Sequence, residues 1–414
     1  MGEPDLRVDV VGRYLDEPPL ITVAGATPSS PVEVEVVQVD GTGRRWSSTA
    51  TFVADDAGTV DTSCDAPSSG PYQGVDPSGP VWSATSEGTE PFAVVGEAPV
   101  PLEVAATSNS QTARTAATRL LLAPGTSVTT LDTAGLVSRL YQPARRVVDH
   151  GMVYFGGSDG KPRHHIAALL SRHDMPTASC AYFAAPGLSA TCVEIPLEPI
   201  IDALAMIART LDVETLYVGG LSKGGELALA LAAYVPDVVA GAISWSGSPA
   251  AWTGIGSLDA SSWTRHGVAH PHLSFRADAV DWTEPVRFIG GYDAGIDHDE
   301  PDAWFPLDRA AGPVLLIDGD DDGMWPATRL HTIAAEHRAA AGRPVTHRTY
   351  PGAGHPLGPP GLPTTITQTV MPGSGMTVDV GGTPVATARA NRQSWAAVLD
   401  HLGLTSSDAT AAAP

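Results

Sequence analysis

Lysine is almost missing from this 414-residue sequence, occurring only as Lys161 and Lys223. With 24 Lys and Arg against 46 Asp and Glu, the formal net charge is −22. A chain so poor in cations has no broad surface with which to neutralise phosphates, which argues against nucleic acid and anionic membranes as partners. Cysteine is scarce too. Cys64, Cys180 and Cys192 are odd in number and show no CxxC or Cys/His ligand spacing, so neither a disulfide framework nor a zinc site is indicated and no metal is expected. They read as buried or idle thiols. No apolar run approaches the roughly 18 residues that a membrane span needs. The N-terminal MGEPDLRVDVVGRY also lacks a basic region followed by an apolar stretch. A soluble, cytoplasmic protein is expected, and the length suits two domains, each with its own core.

What is present divides near residue 130. Residues 18–125 read as short strands separated by turn residues. Pro31 to Asp40 alternates apolar and polar, Trp46 to Val53 follows after a glycine turn, and Leu102 to Thr107 and Ala113 to Leu122 continue the series. That is the pattern of a small antiparallel sandwich. The Gly/Pro-rich stretch Pro71 to Trp82 reads on composition as a long connection within it. From about Gly135, strands alternate with helices, as in a largely parallel sheet. The expected organisation is a β-sandwich over 1–130 and an α/β domain over 131–404, with a disordered tail over 405–414. The long segment of about 248–308, carrying Trp252, Trp263, Trp282 and Trp304, reads either as a lid over a site or as surface decoration.

The organising stretch is Thr215 to Val235, where an apolar run reaches Gly220-Leu221-Ser222-Lys223-Gly224 and a helical pattern opens at once. A GxSxG between strand and helix is the setting of a nucleophile elbow, in which small flanking residues let the backbone pass closely. A seryl hydroxyl is a poor nucleophile without a base and a group that orients the base. The strand Gly312 to Ile317 runs into Asp318 and Gly319 and then the carboxylates Asp320, Asp321 and Asp322, at the strand end where sites collect in parallel sheets. Asp322 is the choice for the acid, because such hydrolases carry it just beyond this strand. The alternative is that all three cap the following helix. His355 is presented by the Gly-rich loop Tyr350 to Pro356 after the last strand and is the expected base. His164, His165, His270, His272 and His298 lack that setting. Oxyanion donors should come from the Lys223 amide and from the turn at Gly156 to Gly160, as Gly157 or Ser158. That glycine run has neither GxxxxGK[ST] nor GxGxxG spacing, so no nucleotide cofactor is implied.

These segments resemble the acyl-CoA thioesterases and bile acid-CoA:amino acid N-acyltransferases, particularly bacterial members, over nearly the whole chain. The resemblance rests on YQGVDPSGPVW, on YFAAPGL leading into EIPLEPI, and on GLSKGGELAL, GPVLLIDGDDDGMWPA and YPGAGHPLGPPGLP. It implies an α/β-hydrolase domain behind an immunoglobulin-like sandwich, with a triad at Ser222, Asp322 and His355, and makes YQGVDPSGPVW the loop that joins the two. The sequence departs from the family at its tyrosine-rich segment, kept only as Tyr182 and Phe183, and at Asp159 and Lys161, where family glycines are replaced.

The expected function is a serine thioesterase that hydrolyses an acyl thioester, carried by CoA or by an acyl carrier protein, through an acyl-Ser222 intermediate. The alternatives are an acyl-CoA:amino acid N-acyltransferase, a non-catalytic binding or scaffold protein, and a peptidase or carboxylesterase. Lys161, Arg163, His164 and His165 form either a CoA-phosphate patch or a solvated helix face.

Overall fold

A computed structural model describes residues 5–257, 259–298, 300–371 and 374–404. The expected disordered tail, 405–414, lies outside them. Near the N-terminus, strands Arg7–Val11, Leu20–Ala24 and Val60–Asp61 form one antiparallel sheet. A second sheet has the order Arg45–Val53, Pro31–Val39, Val100–Ser108, Gln111–Arg119, all antiparallel. Val32, Val34 and Val36 alternate inward on Pro31–Val39. They meet Ile21, Val23 and Val60 of the first sheet in a shared apolar core with Phe52, Leu102 and Val104. This is the packing that period-two patterning produces when two sheets bury one face each.

The second layer system is an eight-stranded sheet in the order Val345–Tyr350, Val314–Gly319, Val239–Trp245, Thr215–Leu221, His150–Phe155, Thr177–Ala181, Val137–Gln142, Ser127–Asp132. The first six strands run parallel, Val137–Gln142 runs against them, and Ser127–Asp132 pairs antiparallel with Val137–Gln142. The strand Ser127–Asp132, through which the expected boundary at 130 passes, pairs with Val137–Gln142 in this sheet. Helices cover both faces. Helix Leu197–Leu211 is set by its apolar stripe, Leu197, Ile200, Ala203, Leu204, Ile207 and Leu211, with Glu198 in its first turn and Arg209 in its last. It packs with helix Lys223–Tyr234 on the face that carries Val153, Phe155, Leu216 and Val218. Met152, Tyr154, Ile243 and Trp245 point the other way, towards helices His164–Ser171 and Pro384–His401. Among the described residues, no helix is long and apolar enough to cross a membrane.

Buried polar groups join the sandwich to the sheet. The Asp16 carboxylate, 1% exposed, accepts from Arg172 Nε at 2.6 Å. It also meets His173 Nε2 at 3.0 Å and accepts from Trp395 Nε1 at 3.0 Å. Arg119, fully buried, donates to the carbonyls of Leu15, Glu17 and Gly361. The stretch Pro71 to Trp82 does more than connect strands, because it ends in a buried one-turn helix, Gly79–Trp82. Asp76 there accepts from Trp82 Nε1 at 2.9 Å and from Arg392 of the last helix at 3.0 and 3.1 Å. Thr364, in the segment that follows His355, donates its amide to the Trp82 carbonyl.

Candidate functional site

Ser222 sits where strand Thr215–Leu221 turns into helix Lys223–Tyr234, with φ 57° and ψ −120°. A non-glycine residue in that region is strained, and the strain persists because the surroundings leave no room for another path. Gly220 and Gly224 show why. A Cβ on Gly224 would strike the carbonyl oxygens of Phe155 and Gly156, and one on Gly220 would strike the backbone of Gly224. The Ser222 amide is anchored to the Trp245 carbonyl at 2.8 Å, while its hydroxyl makes no capping bond to the helix it begins. The side chain is therefore held half-buried at a strand end rather than spent on helix capping.

The three aspartates separate by what each carboxylate touches. Asp322, buried, brings Oδ2 to 2.7 Å from His355 Nδ1. Its Oδ1 accepts from the amides of Met324 at 2.7 Å and Trp325 at 3.1 Å. Asp320 accepts from the Gly352 amide, bracing the base of the His355 loop. Asp321 pairs with Arg287 at 2.8 Å and accepts from the Gly382 amide at 3.1 Å. Asp320 and Asp321 are therefore not idle turn groups, since both staple loops around the site. His355 is fixed further by its own amide, which donates to Val380 at 2.9 Å. Ser246 donates its hydroxyl to the His355 carbonyl at 3.0 Å.

Ser246 links the two halves of the site. It directly follows Trp245, whose carbonyl anchors Ser222, and its own carbonyl accepts from Trp325 Nε1 at 2.6 Å. Its φ of 43° is another strained value.

The expected oxyanion residues lie on the adjacent strand end. A Cβ on buried Gly157 would stand 3.8 Å from Ser222 Cβ, so this turn runs alongside the nucleophile. Ser158 beside it is exposed. Tyr182, in T-shaped contact with Phe155, donates its hydroxyl to the Gly156 carbonyl at 3.3 Å, backing the turn. Lys223 is the first helical residue, so its amide has no partner within the helix.

The Lys223 side chain is buried, 3% exposed, and its ammonium lies 2.8 Å from Glu226 Oε2. The other Glu226 oxygen accepts from the Trp252 amide at 3.2 Å and from Trp263 Nε1 at 2.7 Å. Burial pushes the Glu226 carboxyl above its usual range, with Lys223 and these donors pulling against the shift. The segment 248–308 is thereby tied to the nucleophile helix. Its Trp252 and Trp263 are buried, while Trp282 is 51% exposed. This ion pair was not visible as a site in the sequence, because lysine is normally exposed. The only local signal was Lys and Glu at i and i+3.

The cationic patch reads poorly as a phosphate site. Arg163 is paired with Asp159 at 2.9 Å. Burial, then the nearby Arg163 and His164, push His165 down to about 3, and burial likewise lowers His164. The cysteines are free: Cys64 is exposed, while Cys180 and Cys192 are buried and pushed by burial to about 12.

Two profiles match the chain. The acyl-CoA thioester hydrolase/BAAT N-terminal region covers residues 16–133, and the BAAT/acyl-CoA thioester hydrolase C-terminal region covers 201–404. The chain belongs to the acyl-CoA thioester hydrolase/BAAT family. Curated relatives agree in extent. Mouse acyl-coenzyme A thioesterase 6 is 27% identical, covering 94% of each chain. Mouse peroxisomal succinyl-coenzyme A thioesterase is 26% identical over 98% of each. Mouse bile acid-CoA:amino acid N-acyltransferase is 25% identical, over 92% of this chain and 93% of its own. As a family member built on an α/β-hydrolase sheet, the chain is an enzyme of the thioester-hydrolase class. In the turn after strand His150–Phe155, Asp159 accepts from the Lys161 amide at 3.2 Å.

Proposed function

We propose that this thioester hydrolase cleaves acyl-CoA by a serine mechanism. The observation that carries the proposal is the buried Asp322 carboxylate, 2.7 Å from His355 Nδ1, together with a strained Ser222 that is tied to the same Trp245–Ser246 segment as His355. Asp322 holds the imidazole with its proton on Nδ1, so that Nε2 can take the Ser222 proton as Oγ attacks the thioester carbonyl. The oxyanion is met by the Lys223 amide and by Gly157 or Ser158. The His355 imidazolium gives that proton to the departing sulfur, which leaves as the thiol, and the neutral imidazole then takes a proton from the water that attacks the acyl-Ser222 ester to release the acid. The segment 248–308, tied to Glu226 through Trp252 and Trp263, roofs the site in this reading. The division between the sandwich and the domain that does the chemistry falls ahead of strand Ser127–Asp132 in this reading, and the sandwich is tied to that domain through Asp76, which pairs with Arg392, and Trp82, whose carbonyl accepts from Thr364. A cytoplasmic setting belongs to the same reading, and three free thiols suit a reducing compartment of that kind.

A second reading, acyl transfer to an amine, is favoured by the N-acyltransferase among the relatives. The nucleophile atom argues against it. An acyl-serine is an oxygen ester and is less electrophilic towards amines than the thioester an acyl-cysteine would form. Incubation with acyl-CoA and excess glycine or taurine, with mass-spectrometric assay of free acid and N-acyl product, should give mainly free acid. Ser222→Cys should raise the amide share. Predominant amide from the wild type would replace hydrolysis with transfer.

A further inference from the structure

A second constellation lies one strand turn before the candidate acid. Asp318 stands on strand Val314–Gly319, His331 on helix Ala327–Ala340, and His347 on the edge strand Val345–Tyr350. Asp318 Oδ2 is 2.8 Å from His331 Nδ1 and 2.7 Å from His347 Nε2, and the three atoms lie within 4.8 Å of one another. The remaining atoms of the two buried members are also held. His331 Nε2 is 3.0 Å from Ser244 Oγ, and Asp318 Oδ1 accepts from the Thr328 hydroxyl at 2.7 Å. The Asp318 and His331 side chains are fully buried, whereas His347 is 19% exposed.

We propose that Asp318, His331 and His347 form a binding site for a single divalent transition-metal ion of the zinc class. Two imidazoles and one carboxylate are a donor set suited to Zn²⁺ or Co²⁺, and a three-ligand site leaves a fourth position for water. That position opens on the exposed side of His347, where Thr349 Oγ1, 3.2 Å from Nε2, can hydrogen-bond the water. Ligating imidazoles and carboxylates characteristically have partners on their other atoms, which is the role Ser244 and Thr328 occupy.

Without metal, the same atoms close as a hydrogen-bond network in which both imidazoles donate to Asp318. Metal binding converts one arrangement into the other by tautomer change. The His331 proton moves from Nδ1 to Nε2, where the Ser244 hydroxyl accepts it, and the His347 proton moves to Nδ1. Asp318 stays ionised, and no net proton is released. Metal–ligand distances of about 2.0–2.2 Å in a tetrahedron place ligand atoms about 3.3 Å apart. The 2.7 Å contact must therefore open by roughly half an ångström, which rotation of the partly exposed His347 can supply, and the 2.8 Å contact between the buried Asp318 and His331 must open by a similar shift of helix Ala327–Ala340 against its strand. The ion would tie helix Ala327–Ala340 and the edge strand to the strand whose following turn carries Asp322. Its effect is on stability, and it takes no part in the chemistry at Ser222.

The test uses tag-free, full-length protein titrated with Co²⁺ after dialysis against chelator. The expected result is a visible tetrahedral Co²⁺ spectrum saturating at one equivalent, displaced by Zn²⁺, with a rise in Tm at saturation. His347→Ala and the milder His347→Gln should abolish both signals while keeping the circular dichroism of the wild type. An unchanged spectrum in excess Co²⁺, or one that survives both His347 variants, would mean a hydrogen-bond network only and would overturn the site. These readouts do not depend on thioester cleavage, so the site and the proposed function can fail separately.

Discussion

Replacing Asp322 by asparagine changes one atom in the candidate triad, and the surroundings dictate how the new amide must sit. Oδ1 of Asp322 accepts from two backbone amides, of Met324 and Trp325. Two N–H donors cannot face an NH₂ group, so the asparagine carbonyl must keep that position and its NH₂ must face His355 Nδ1. The imidazole then accepts at Nδ1 and carries its proton on Nε2, the nitrogen that should take the proton of Ser222. A base held in the wrong tautomer loses about 10³- to 10⁴-fold in kcat, or about 4–5.5 kcal/mol of transition-state stabilisation. KM should change little, because no group that contacts the acyl chain is altered. The isosteric change keeps both amide bonds, so Tm should fall by only a few degrees. Asp320→Asn, which retains an acceptor for Gly352, and Asp321→Asn, which weakens a half-exposed pair with Arg287, should each cost less than about tenfold. Thiol release from acyl-CoA, measured under saturating and limiting substrate for all three variants, checks this. Activity of Asp322→Asn within tenfold of wild type, in a protein of unchanged Tm, would refute the tautomer argument and the assignment of the acid.

Two further outcomes follow from buried charges. Glu226→Gln strands the Lys223 ammonium, 3% exposed, without its partner and should destabilise the protein by about 3 kcal/mol or more. That is a drop in Tm of about 3–5 °C for a chain of this size, read by calorimetry, and Lys223→Met/Glu226→Gln, which removes the ammonium but keeps an acceptor for Trp252 and Trp263, should recover much of it. At Asp16, burial raises the carboxyl pKa, but hydrogen bonds from His173 and Arg172 and the Arg172 charge outweigh it and hold the group below its ordinary value. A depressed carboxylate contributes stability that is present above the unfolded value of about 3.9 and is lost as pH falls through the folded value. Asp16→Asn should therefore be less stable by a constant margin at neutral pH, and denaturant melts should show that margin shrinking below about pH 4. A margin that persists into acid would remove the charge from the explanation.

The parts of the site that could be read from sequence are those whose signals are local. A nucleophile between strand and helix, an acid after one strand and a histidine after the next each announce themselves within about ten residues, because parallel sheets collect functional groups at their strand ends. Choosing Asp322 over its neighbours rested on position alone, and the geometry supplies the physical reason, since only Asp322 turns inward to His355. Groups that assemble from distant segments gave no such signal. Asp318, His331 and His347 come from a strand, a helix and another strand, and cysteine counting says nothing about an imidazole–carboxylate set. Ser246 is an ordinary strand-end serine until its φ of 43° and its bond to the His355 carbonyl are known. The Asp16 junction with Trp395 spans 379 residues. The last helix, by contrast, carries its start signal locally, with Thr383 as N-cap and Pro384 at the first helical position.

The central claim is that an acyl group passes through the Ser222 oxygen. Brief mixing of the protein with a slowly hydrolysed acyl-CoA, acid quenching, and mass spectrometry of the peptide spanning residues 215–235 tests it directly. The expected result is the acyl mass on Ser222, accumulating in a burst with one equivalent of thiol and absent from Ser222→Ala. Turnover without acyl-Ser222, or with the acyl group on another residue such as Cys192, would contradict it.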